Sequence, residues 1–362
     1  MMTDPYSMIV FGDGWRGRFL CRIAKAVPDK LQVRLVVGHH ADRLAAIEQD
    51  YGVVTTTDAD AVNAAAADFA AVAVSWSATP GLVARLAEQG RYVYCETPPA
   101  PDMEGLRALW TRIAGRAELV QVGEQYYRMP GHASRLALVR SGVIGTPNSV
   151  EVASTHLYHA VALIRDYLGI GLEPVVVNAR SFTAPMLDPL HFDGWDTDPQ
   201  PKPLETQIAT IDFGDGRYGL YNFVDNQWWN PLLSRRIVVR GSFGEIADDA
   251  VMRFNDGVPM LSRIEYRRLG RDMNLEGNEV ATVSFDGELI WRNPCPGAYL
   301  SEDDLAVADH LIAMGRYARG EGPEIYPLAA GIHDHAIGLA IGESARVHAD
   351  VRVSDELWMS AR

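Results

Sequence analysis

The apolar run Met8-Ile9-Val10-Phe11 leads without interruption into Gly12-Asp13-Gly14-Trp15-Arg16-Gly17, and helical apolar spacing follows from Phe19 to Ala26. Few patterns constrain a fold as much. A strand that turns on spaced glycines into a helix brings free amide groups and the positive end of a helix dipole to one point. Gly12 permits the tight turn, Gly14 lets backbone approach a pyrophosphate, and Gly17 lets the helix pack close against the strand. The bland alternative is a glycine turn that binds nothing; all the glycines at full spacing favour the nucleotide.

Strand and helix then alternate. Leu31 to Val37, Val53 to Thr57, Ala70 to Ser75 and Tyr92 to Cys95 read as strands, with helices over Asp42 to Gln49, Ala59 to Ala67 and Pro80 to Gln89 between them. Parallel strands need crossover connections, so this order predicts a doubly wound parallel sheet, a Rossmann domain over residues 1–123. Beyond Glu124 the texture changes. Helices over Met129 to Ser141 and Thr155 to Leu168 flank a strand at Asn148 to Ala153, and strand-like runs follow without helices between them: Val175 to Phe182, Thr206 to Phe213, Gly219 to Val224, Arg236 to Gly241, Ile264 to Arg268 and Val280 to Phe285. Asp215-Gly216 and Asp256-Gly257 are hairpin signals. Helices over Glu302 to Ala318 and Ala329 to Val347 close the chain, and Asp188 to Pro203 reads as a long loop. Residues 124–362 are therefore expected to form an α+β domain on a large, mostly antiparallel open sheet, for substrate binding and oligomerisation, and 362 residues suit two cores better than one.

The net charge of −14, from 33 basic and 47 acidic side chains, argues against nucleic-acid or anionic-membrane partners. Scattered Cys21, Cys95 and Cys295 form neither a disulfide framework nor a metal knuckle, and no apolar run approaches a membrane span, so a cytoplasmic location is expected. Lysine is scarce: only Lys25, Lys30 and Lys202 occur.

A second motif, Tyr92-Val93-Tyr94 running into Cys95-Glu96-Thr97-Pro98, completes a recognisable pair with the glycine turn. Together with Ser141-Gly142-Val143-Ile144-Gly145, Arg240-Gly241-Ser242-Phe243-Gly244-Glu245 and Gly342-Glu343-Ser344-Ala345-Arg346, these motifs make the chain resemble the Gfo/Idh/MocA family of nicotinamide-dependent sugar oxidoreductases over nearly its whole length. In that family the second motif reads Glu-Lys-Pro; here the lysine is Thr97.

The resemblance implies a cofactor site at Gly12, Gly14, Trp15, Gly17, His39, Ser75, Trp76 and Glu96. NAD is expected on family frequency. NADP stays open, because the second strand ends in Gly38-His39-His40, with no carboxylate for the adenosine ribose unless Asp42 folds back. Trp76 either packs on the cofactor or fills the space between domains. Thr97 holds a hydrogen bond but is too weak an acid to serve as a base near neutral pH, and of the lysines only Lys202 is placed to reach.

The resemblance places substrate contacts at Glu124, Tyr127 and Arg128, and Tyr126 among them is a catalytic candidate, assisting proton transfer or acting as the base of an elimination. The same resemblance aligns His159 with the family's catalytic histidine, while Thr155 stands at the usual aspartate position and the glycine-rich lead-in is missing. An imidazole titrating near ~6.5 suits proton transfer. His156, three residues earlier on the same helical face, is a second candidate, and Thr97 is expected to position rather than titrate. Capping by Ser154 and Thr155, with buried structural histidines, is the plainer reading of this segment. A histidine pair for a metal lacks a third carboxylate ligand. Trp228 and Trp229 offer aromatic faces to a sugar, or else a core or oligomer contact.

The functional expectation is hydride transfer between NAD(P) and a carbohydrate or polyol carbinol. Glycoside cleavage by transient oxidation and elimination is the alternative within enzymes, and a cofactor-binding sugar sensor the alternative outside them. A homo-dimer or homo-tetramer through the open sheet is expected.

Overall fold

The computed structural model describes residues 4–63 and 65–361. Its first sheet has six parallel strands in the order β3-β2-β1-β4-β5-β6. They are β1 (Tyr6–Phe11), β2 (Leu31–Val37), β3 (Thr55–Thr56), β4 (Phe69–Val72), β5 (Val93–Cys95) and β6 (Val120–Val122), and α1 (Trp15–Ala26), α2 (Ala41–Tyr51), α3 (Thr79–Glu88) and α4 (Met103–Ile113) lie between them. The order reverses on either side of β1, which opens a crevice beyond the carboxyl ends of β1 and β4, where doubly wound folds bind ligands. All four residues of β4 are buried, as a strand covered on both faces requires.

Two differences from the sequence reading stand out here. Ala59 to Ala67 is not an α-helix; a short 3-10 turn covers Ala59–Asn63, and Ala64 lies outside the described residues. Alanines bury too little area to hold a helix on a sheet. In a stretch left unassigned, α4 and β6 complete the domain, with Asp102 capping α4 by accepting the Gly105 amide.

The second sheet has eleven strands in the order β18-β17-β16-β15-β14-β13-β7-β12-β11-β8-β19. Its centre is β7 (Pro147–Ala153), which pairs parallel with β12 (Tyr218–Val224) and antiparallel with β13 (Arg236–Gly241). On one side lie β11 (Lys202–Asp212), β8 (Val175–Met186) and β19 (Val351–Val353); on the other, β14 (Gly244–Ala247), β15 (Ala250–Asn255), β16 (Val258–Leu269), β17 (Glu279–Phe285) and β18 (Glu288–Arg292). Asp215-Gly216 and Asp256-Gly257 both turn hairpins with positive φ at each residue. The Asp188 to Pro203 segment is more ordered than a loop: β9 (Leu190–His191) and β10 (Gly194–Trp195) form a small hairpin, and β11 already begins at Lys202.

Helices α5 (Pro130–Arg140), α6 (Leu157–Leu168) and α8 (Leu328–Val347) complete this half. Helix α7 (Glu302–Ala318) belongs by packing to the first sheet, since Leu305, Val307, Ala308, Leu311 and Met314 join Met8, Val10 and Leu20 in one core. Among the described residues no helix is long and apolar enough to cross a membrane.

Candidate functional site

A cleft of about 760 Å³ runs along the glycine turn. Gly12 has a φ of 128°, and a Cβ there would sit 2.2 Å from the Ala73 carbonyl oxygen; a Cβ on Gly17 would sit 2.0 Å from the Gly12 carbonyl oxygen. Both positions are glycine because backbone passes against backbone. Gly14 differs: its φ of −79° suits any residue, and nothing stands within 4 Å of a Cβ. The empty side of Gly14 faces the helix N-terminus, where a pyrophosphate can meet the first free amides of α1. His39 and Ser75 also line this cleft.

The acidic group missing from the end of β2 comes from inside the turn. The Asp13 carboxylate accepts the amides of His39 and His40 at 2.7 and 2.8 Å, and a Cβ on Gly38 would lie 2.5 Å from its Oδ2. Burial raises the Asp13 pKa, but the His40 and His39 amides and the His40 ring outweigh it and hold the carboxyl below its ordinary value. Asp13 thus occupies the space that a side chain at position 38 would enter.

A second cleft, of about 650 Å³, continues from the first and shares Trp15, Arg16, Ala73 and Val74 with it. Trp76, Glu96, Thr97, Tyr126, His156, His159, Trp228 and Trp229 all line it, so eight residues singled out in the sequence meet there. Glu96 is bound to Arg16, with Nε to Oε1 at 2.8 Å, and the Arg16 guanidinium lies over the Phe19 ring. The Thr97 hydroxyl borders Tyr158, whose pKa burial raises and Thr97 partly lowers again. Trp228 stacks on Phe223 and approaches His156 to 4.9 Å between ring centroids, while Trp229 donates its indole N–H to the Leu190 carbonyl.

The chemistry centres on a buried pair. His159 Nδ1 lies 2.5 Å from Glu124 Oε2, which leaves Nε2 as the free nitrogen of a ring that borders the cleft. Burial is the largest influence on both. It pushes the Glu124 carboxyl up to about 8, offset partly by the Tyr126 amide, and pushes the His159 imidazole well below its ordinary value. The pair therefore avoids a buried charge separation and is most stable sharing one proton without net charge. The expectation of a histidine titrating near its model-peptide value fails here, as it does for His156, whose pKa burial pushes down to about 3. The Tyr126 hydroxyl, pushed up to about 12 mainly by burial, remains a phenol at neutral pH.

Three residues expected to touch substrate do not border the cleft. Glu124 is buried behind His159. Tyr127 donates its hydroxyl to the Ile325 carbonyl, and Arg128 is tied to Asp309 at 2.6 Å and to the Tyr127 hydroxyl. A 3-10 turn over Tyr126–Arg128 carries Tyr127 and Arg128 away from the cleft that Gln125 and Tyr126 line. Lys202 pairs with Asp188 and is absent from the cleft wall. Nor do Ser154 and Thr155 cap α6; its N-cap is His156, without a side-chain cap. Leu157 instead adopts a φ of 38°, the left-handed conformation a glycine would supply in the lead-in, and this strained corner sets His156 and His159 with rings 5.1 Å apart. Gly338 of α8 makes room, since a Cβ there would lie 3.1 Å from the Tyr158 nitrogen.

The sequence reading missed Asp13, Gln125, Arg235 and Asp303. Gln125 donates to Asp303 at 3.2 Å, and its Oε1 is buried without a partner, as is His156 Nδ1. Only Asp13 carried a signal, an acid inside the turn coupled to a glycine where the acid belongs.

Comparison with known proteins agrees with this geometry. A sequence model described as an oxidoreductase family with an NAD-binding Rossmann fold, Gfo/Idh/MocA, matches residues 7–124. Inositol 2-dehydrogenase 3 of Saccharopolyspora erythraea is 33% identical over 141 residues, and the match spans 38% of this chain and 41% of that protein. A myo-inositol dehydrogenase from Corynebacterium glutamicum has the same fold with a TM-score of 0.68 and 17% identity, over 97% of this chain and 99% of that one. A levoglucosan dehydrogenase solved with NADH and levoglucosan matches equally, at 0.68 and 17%, over 97% and 100% of the two chains. Residues 7–124 thus match the NAD-binding Rossmann fold of the Gfo/Idh/MocA oxidoreductases, and the chain spans under half the length of the curated relative it matches.

Proposed function

We propose that the protein is an NAD-dependent dehydrogenase of a carbohydrate or polyol carbinol, with the Glu124–His159 pair as its proton acceptor. One observation carries the reading: a histidine with a free ring nitrogen borders the cleft that continues the nucleotide site, and a buried carboxyl with a raised pKa stands behind it. Two relatives are named for inositol and levoglucosan, both polyhydroxyl compounds.

The cleft fits the cofactor, because the space beside Gly14 admits backbone-bound phosphate and Asp13 stands where ribose hydroxyls are read. NAD bound there contributes the hydride acceptor. The substrate carbinol loses its C–H as hydride and its O–H proton to His159 Nε2, and the carbon becomes a carbonyl. As Nε2 gains that proton, Nδ1 passes its own to Glu124. The relay runs to the Glu124 carboxylate, and with its pKa pushed up to about 8 that carboxylate is a stronger proton acceptor than an ordinary one. Thr97 orients the reacting hydroxyl with the buried Tyr158 behind it, and Trp228 offers a face to the sugar C–H surface. The pair, uncharged at rest, takes the part that the family resemblance gives to a lysine.

The test is NADH formation across a panel containing myo-inositol, levoglucosan and common monosaccharides. Turnover of at least one polyol is expected; NAD binding without turnover of any would overturn the reading in favour of a sensor.

A further inference from the structure

A second chamber, of about 270 Å³, adjoins the substrate cleft between the start of α5, the end of β7, β13, β16 and the start of α7. Tyr126, Met129 and Arg235 line both chambers, so a ligand seated beside His159 meets the second space at these side chains. Arg135, Arg235 and Arg268 face Asp248, Asp249 and Glu302 in its wall, so the lining carries no net formal charge. Arg135 pairs with Asp249 at 2.9 Å and Arg268 with Glu302 at 2.6 Å, while burial first, then Arg135 and Arg235, push His132 down to about 3 and keep it neutral. Such a wall suits an uncharged polar guest.

One buried group in it lacks a partner, and one exposed cation stands at its mouth. Ser154 Oγ is buried, its residue 8% exposed, and has no hydrogen-bond partner. Arg235 has no ion pair or hydrogen bond among the described residues. A hydroxyl that both donates and accepts satisfies each of them, and the Tyr126 ring offers an apolar face beside them. We propose that this chamber is a second sugar subsite and that the substrate is a disaccharide, oxidised on the ring beside His159 and held by the other ring against Ser154 and Arg235. The inference rests on the dehydrogenase reading above and names its substrate class.

The purified protein with NAD is assayed for NADH formation on glucose, galactose and myo-inositol and on trehalose, sucrose, cellobiose and lactose. In parallel each sugar is titrated against the tryptophan fluorescence of the NADH-loaded protein, since Trp228 and Trp229 border the cleft. At least one disaccharide is expected to exceed its component monosaccharides in kcat/KM by about tenfold. Ser154→Ala should lower that ratio about fivefold, the size of one hydrogen bond, and Arg235→Gln, an exposed position that carries no folding cost, by more, mainly through KM. Monosaccharide oxidation with no disaccharide oxidised or bound would overturn the subsite while leaving the dehydrogenase reading intact, as would a ratio that neither variant changes. A preference for glucuronate over every disaccharide would overturn it in favour of an anion site. Disaccharide quenching that weakens in Ser154→Ala, with no sugar oxidised, would support the subsite and sink the dehydrogenase reading. If no sugar is oxidised or bound, both fall.

Discussion

The two clefts that meet at Trp15 and Arg16 are made of different material. The nucleotide cleft is built from backbone, where Gly12 and Gly17 let main chain pass main chain at distances no side chain survives, and the Asp13 side chain braces it by accepting the amides of His39 and His40. The substrate cleft is built from side chains that arrive from seven separate segments, represented by Arg16, Trp76, Glu96, Gln125, His159, Trp228 and Asp303. A backbone site tolerates change everywhere except at its glycines. A side-chain site can exchange its chemistry, and the proposed reaction gives the proton to a buried pair where the family resemblance expects a lysine.

That contrast is open to attack by substitution. The largest effect is expected at His159, where replacement by alanine removes the group facing the carbinol and should lower kcat by about 10²–10⁴-fold while NADH affinity stays near wild type. A loss of cofactor binding instead would erase the separation between the two clefts. Gly14→Val should do the reverse. Its Cβ enters open space at an ordinary φ, so the fold is kept and NADH binding should weaken by about tenfold or more, whereas Gly12→Val strikes the Ala73 carbonyl and should lower Tm as well. Equal affinity in Gly14→Val, measured by NADH fluorescence titration, would show that the cofactor does not approach that backbone. A smaller effect is expected at Asp13. Asp13→Ser removes the carboxylate from the ribose end, and the ratio of NADPH to NADH Kd should fall about fivefold or more; an unchanged ratio would leave Asp13 as a loop brace alone. Least is expected of Thr97→Val, which costs one hydrogen bond of about 0.5–1.5 kcal/mol and so a few-fold in kcat/KM; a loss of thousands would restore Thr97 to the reaction itself.

The same contrast explains what could be read in the chain. The glycine turn was legible because its requirement is local: Gly12, Gly14 and Gly17 lie within six positions of one another, each with a steric reason. The alternation of the first sheet was legible for a similar cause, since buried parallel strands are continuous apolar runs. The pairing of Glu124 with His159 spans 35 residues and two elements, and no spacing rule joins them. Glu124, Tyr127 and Arg128 were grouped with Tyr126 by adjacency, but a short 3-10 turn over Tyr126–Arg128 sends neighbours to different sides, so only Tyr126 of these reaches the cleft. Burial was the other hidden variable. His156 and His159 look in sequence like titrating imidazoles, and only the packing of Phe223, Trp228 and Tyr158 around them shows why they stay neutral. Arg235 gave no signal, for Ser234-Arg235-Arg236 does not say which arginine pairs; Arg236 faces Glu151 at 3.9 Å, and Arg235 is left to the two chambers.

The central claim is that Glu124 and His159 accept the substrate proton as a unit, and the pH dependence of kcat/KM for polyol oxidation tests it most directly. The Glu124 pKa is raised, so at low pH the pair already holds its proton and cannot take another; the rate should climb as pH rises and level off above about 8, where the carboxylate is free. Glu124→Gln keeps a hydrogen bond to His159 but has no proton to release, so its profile should lose that step and lie well below the wild-type plateau. A Glu124→Gln variant that retains both the step and the wild-type rate would contradict the account.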